Sequence, residues 1–155
     1  MGYSPSYFGL MTFMFGSLSI AISGYINGKF VERFGANFML NLGTGLSVFS
    51  GILLIALFYV FKSNIYAIYA PIAFLYFGVG FTMPNLFAIS AYELQEMTAI
   101  GSALYSSLQM LGGVIFGYIV AHLPDNSPIP FACTIIAAVI LGAIAKTLAD
   151  KYSKA

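Results

Sequence analysis

The chain has 155 residues, of which 60% are hydrophobic and 7% charged, with a mean hydropathy of +0.92 and a formal net charge of +1. A soluble domain carries roughly 25% charged residues, so a soluble globular fold is excluded. The net charge itself is uninformative, and no nucleic-acid partner is expected.

The charged residues leave five uncharged runs, at 8–28, 38–61, 65–91, 99–123 and 130–145. A membrane-crossing helix needs about 20 apolar residues to cover about 30 Å of hydrocarbon. Four runs meet that length. The fifth reaches it at residue 149 if Lys146 snorkels to the interface. The runs are continuous rather than alternating, which excludes a membrane β-barrel. The expected fold is an all-α membrane protein with five transmembrane helices in one domain covering 1–155, joined by short connections into a compact up-down bundle.

The first span carries Gly16, Gly24 and Gly28 on one stripe. Such small residues let helix backbones approach closely in lipid. The run at 8–28 lacks the features of a signal peptide, because no basic segment precedes it. The connection to the second span reads Gly28-Lys29-Phe30-Val31-Glu32-Arg33-Phe34-Gly35. The second span repeats small residues every four positions at Gly43, Ser47 and Gly51.

The third span is the longest and the richest in aromatic residues. Phe74, Phe77, Phe81 and Asn85 fall at i, i+3, i+7 and i+11, one helical face. Pro84 removes a backbone donor and is expected to bend the helix there. This face suits either packing against lipid and helices or the lining of a path for an apolar, ring-containing solute. The fourth span carries Ser102, Ser106, Gly113 and Gly117 on one face, with Gln109 as its one amide. Asn85 and Gln109 are expensive in lipid without partners, so cross-helix hydrogen bonding is the plain alternative to a functional role. The fifth span holds Cys133, the single cysteine, which excludes an intrachain disulfide.

If the spans alternate, Lys29, Arg33, Lys146, Lys151 and Lys154 share one side, and only Lys62 lies on the other. The positive-inside rule then places the N-terminus outside and the C-terminus in the cytoplasm.

The connection Gly28 to Gly35 has the form Gly-x-x-x-acid-Arg-x-Gly. It resembles the loop signature of the major facilitator superfamily, with Asn37 standing where the family often has a further base. A second pattern, Pro84-Asn85-Leu86-Phe87-Ala88, then Thr98-Ala99-Ile100-Gly101-Ser102-Ala103-Leu104 and Gln109, resembles Bcr/CflA-type drug–proton antiporters. Asn27, just before the signature, fits that group too. Ala99 and Gly101 are swapped relative to the pattern, and Ser106 stands where the group often has Gly.

The resemblance implies that the spans correspond to the last five of twelve helices, a partial C-terminal half of a major facilitator fold. It implies a bacterial inner-membrane location and a cytoplasmic gate built from Gly28, Glu32, Arg33 and Gly35. It also implies a substrate path lined by Phe74, Phe77, Phe81, Pro84, Asn85 and Gln109. The expected function is transport, as a fragment resembling a proton-coupled multidrug efflux carrier and inactive alone. Its expected partners are the lipid bilayer, a lipophilic small molecule, and either an N-terminal transporter half or a second copy. The alternative is a small multispan scaffold or assembly subunit. No nucleophile–base pair or metal-ligand cluster falls within a span, so no enzyme activity, metal or cofactor is expected.

Overall fold

The computed structural model describes residues 5–61, 66–93, 98–123 and 128–152. These form five helices: α1 (Pro5–Phe34), α2 (Ala36–Val60), α3 (Tyr66–Glu93), α4 (Thr98–His122) and α5 (Ile129–Tyr152). All five are long and apolar enough to cross a membrane. The connections at 62–65, 94–97 and 124–127, and with them Lys62, Glu96 and Asp125, lie outside the described residues.

The first departure from the expected boundaries is at the connection between the first two spans. It is not a loop. α1 continues as helix through Lys29, Glu32 and Arg33, and α2 starts at Ala36. Only Gly35 is non-helical, with φ 83° and ψ 155°. That region of backbone space is open to glycine and closed to nearly every other residue. The Gly35 N–H caps the Val31 carbonyl at 2.8 Å, and the Met39 N–H reaches the Gly35 carbonyl at 3.2 Å. One residue therefore reverses the chain. The charged turn stays helical because α1, with 30 residues, outlasts the hydrocarbon at about 1.5 Å per residue. Its last turns can stand in the polar interface.

α3 is the hub. It packs along both α2 and α1, while α5 packs along α2. Gly78 and Gly80 make this possible. A methyl at Gly78 would meet the Gly43 carbonyl at 2.7 Å and Ser47 Oγ at 2.7 Å, and a methyl at Gly80 would collide with Ser23. The α2 stripe is the opposing surface. A methyl at Gly43 would lie 2.6 Å from the Gly78 carbonyl, and one at Gly51 would lie 2.8 Å from Ile136 of α5. Dispersion and close backbone approach hold these helices, since lipid removes most of the hydrophobic drive between them.

Cross-helix contacts fix the directions. Gly16 meets Tyr76 and Asn27 meets Asn85, so α1 and α3 run parallel. Gly43 meets Phe81 while Ser50 meets Pro71, so α2 runs against α3. Asn41 meets Lys146 while Gly51 meets Ile136, so α5 runs against α2. The Gly35 turn and the C-terminal end of α5 thus share one end of the molecule, as the alternating-span reading requires.

The expectation of a compact five-helix bundle holds only for α1, α2, α3 and α5. No residue of α4 between 100 and 122 is buried, and its contacts with α3 and α5 are slight. Its glycines Gly113 and Gly117 face open space. The small stripe of the fourth span is therefore not a packed interface within this chain.

Candidate functional site

Two polar residues 58 positions apart meet in the interior. Asn85 Nδ2 donates to Asn27 Oδ1 at 2.6 Å and to the Phe81 carbonyl at 2.6 Å. Asn85 is 2% exposed and Asn27 6%. A primary amide has two N–H donors, and both Asn85 hydrogens are taken up here. The pair lies within about two turns of Gly35, where the one-residue turn holds α1 and α2 together around α3. The aromatic face divides along its length. Phe81, 3% exposed, is buried with Asn85 between α1 and α2, while Phe74, 43% exposed, remains open with its ring edge-on to Phe49 of α2. Phe77 is half-buried and packs edge-on against Phe81. The four share a helical face, but neighbouring helices cover only its Asn85 end.

Gln109 does not join Asn85. It is exposed on α4 and directs Nε2 to Met83 Sδ at 3.6 Å, beside Tyr105, whose hydroxyl donates to the same sulfur at 3.3 Å. Phe87 and Tyr105 stack edge-on across α3 and α4, 5.7 Å between ring centres. Pro84 is exposed on α3, and α3 runs through both Pro71 and Pro84 as one helix. Met83, Phe87, Tyr105 and Gln109 thus form an exposed, soft and aromatic patch. Thioether sulfur is polarizable and adapts to varied partners. Tyr105 carries no sequence signal that singles it out, because tyrosine is common throughout this chain.

Of the four gate-loop residues, Gly28, Glu32 and Arg33 are exposed on the last turns of α1, and Gly35 makes the turn itself. The Arg33 guanidinium lies 5.4 Å from the Phe34 ring centre, and Lys29 Nζ lies 4.6 Å above the Tyr25 ring. Both cations therefore rest on aromatic faces rather than on another helix. A methyl at Gly28 would meet nothing within 4 Å, so this glycine does not serve helix packing within the chain. Among the described residues there is no group of three or more His, Cys, Asp or Glu side chains placed to hold a metal.

A third feature is a partly open groove of about 680 Å³ between α2, α3 and α5. Its walls include Leu75, Val79 and Val139, and among the described residues Lys146 is the only charged one that lines it.

No family model, no curated protein and no solved structure matches this chain.

Proposed function

We propose that these helices form part of a membrane transporter of the major facilitator kind, related to carriers that exchange lipophilic drugs for protons. In this reading the bundle works against a second bundle, supplied by another chain or by a further portion of the same protein. The observation that carries the proposal is the Asn27–Asn85 hydrogen bond. Asn27 adjoins the Gly28–Gly35 signature and Asn85 belongs to the Pro-Asn-x-x-Ala pattern. A residue that adjoins one motif and a residue of the other, far apart in the sequence, are in contact in the fold. Chance motif matches give no reason for that.

The exposed surfaces support the same reading. α1 and α4 present Phe13, Met14, Leu18, Leu108, Met110 and Tyr118 outward, and α4 adds Ser106, Gln109 and Gly113. A second bundle would cover this mixture of small, polar and aromatic side chains better than lipid tails do. Transport by rocking one bundle against another requires that second body. The Met83–Phe87–Tyr105–Gln109 patch would then face the cleft and receive the solute.

The test is co-expression with the seven-helix complement of a Bcr/CflA-type carrier in an efflux-deficient bacterium, scored by export of a lipophilic cationic dye. Export that needs both pieces, and that falls at least tenfold with Gln109→Leu at unchanged protein level, is the expected result. Two stable, membrane-inserted pieces that associate without any export would contradict the proposal.

A further inference from the structure

The groove between α2, α3 and α5 differs in chemistry from the drug path just proposed. Its hydroxyls are already committed to their own helices. Thr44 Oγ1 donates to the Leu40 carbonyl at 2.7 Å, Ser47 Oγ to the Gly43 carbonyl at 3.0 Å, and Thr82 Oγ1 to the Gly78 carbonyl at 2.8 Å. Thr147 Oγ1 does the same with the Ile144 carbonyl at 2.8 Å. What remains to a ligand is an apolar wall with one cation at its end. Lys146 Nζ is held by the Asn41 side-chain oxygen at 3.0 Å, a neutral acceptor that uses one of three ammonium donors. Among the described residues no carboxylate lines the groove.

The length of the groove is informative. Ile135 and Lys146, both lining it, are eleven residues apart on α5, or roughly 16 Å at 1.5 Å per residue. That matches half of a hydrocarbon core about 30 Å thick. The groove thus runs from the level of Lys146 to mid-membrane, the depth of one leaflet. Lys146 marks the same end of the molecule as Lys29 and Arg33. A lipophilic cation would be repelled by this site, and a partner helix, about 10 Å across with its side chains, would have to bury against a lysine.

We propose that this groove binds one anionic phospholipid of the adjoining leaflet, with an acyl chain along α2, α3 and α5 and the phosphate at Lys146. Asn41 positions the ammonium group. The site does not depend on the transporter reading.

The test uses the purified full chain in nanodiscs made from phosphatidylglycerol and phosphatidylcholine, with retained lipid counted by native mass spectrometry after transfer to mild detergent. One phosphatidylglycerol should be retained in preference to phosphatidylcholine by about fivefold, the contribution of a single lysine near a membrane surface. Lys146→Gln should abolish the preference. Gly142→Phe should displace the lipid while leaving the charge in place, and it should fold, because a Cβ at Gly142 meets nothing within 4 Å. Lys151→Gln, outside the groove lining, should change nothing. Equal losses from Lys146→Gln and Lys151→Gln would reduce the effect to general surface charge and overturn the proposal. Full retention in a folded Gly142→Phe variant, or a dimer whose formation excludes the lipid, would overturn it as well.

Discussion

Asn85 uses both amide hydrogens inside the protein, one on Asn27 and one on the Phe81 carbonyl. Polar pairs between membrane helices contribute about 0.6 kcal/mol on average and up to about 1.7 kcal/mol. This pair is short and fully enclosed, so its coupling belongs at the upper end. A double-mutant cycle of Asn27→Ala and Asn85→Ala, read by unfolding in mixed micelles, should give a coupling of roughly 1 to 1.7 kcal/mol. Additive losses would remove the pair from the account. The glycines provide a sharper contrast. Gly43→Ala places a methyl 2.6 Å from a backbone carbonyl that cannot rotate away, and overpacking of this kind costs about 1 to 3 kcal/mol. Gly24→Ala meets nothing within 4 Å and should be neutral or slightly stabilising, by up to about 1 kcal/mol. Both glycines sit in small-residue stripes visible in the sequence. A stripe shows that close approach is possible, and only the fold shows whether a neighbour takes the position.

At the scale of the elements, each of the five uncharged runs falls on one of the five helices, because desolvation forbids charge in hydrocarbon. The ends were less legible. α1 carries Lys29, Glu32 and Arg33 within the helix, and a charge that stops a membrane span does not stop a helix. The single break at Gly35 requires a backbone conformation costing about 1 to 3 kcal/mol for other residues. Gly35→Ala should therefore destabilise the chain by that amount, whereas Gly28→Ala, in the same signature, should not. Equal effects in a thermal unfolding series would show that the turn is not where the signature's constraint lies. The hub role of α3 had little sequence signal. Its residues are apolar all round, so no polar face indicated which side meets α1 and which meets α2. Asn85 stood out as a buried amide, but nothing in the sequence named Asn27 as its acceptor across 58 residues. α4 shows the opposite error. Its small residues suggested packing, yet none of its residues between 100 and 122 is buried. Its amides should exchange with deuterium well before those of α3 in micelles. Equal protection of the two helices would contradict the peripheral placement.

For the whole molecule, the antiparallel register gathers Lys29, Arg33, Lys146 and Lys151 at one end, and the positive-inside rule assigns that end to the cytoplasm. Reporter fusions after Tyr152 and after His122 should read cytoplasmic and external, respectively. The reverse at both positions would invert the topology and break its agreement with the transporter register. If these helices are one bundle of a two-bundle carrier, as proposed, they cannot alternate access by themselves. The direct measurement is the purified chain in proteoliposomes with an imposed proton gradient and a lipophilic cationic dye. The expected result is no proton-dependent dye movement by the chain alone, and movement when a matching seven-helix bundle is reconstituted with it. Proton-driven dye movement by this chain alone, lost on Asn85→Leu or Gln109→Leu, would contradict it.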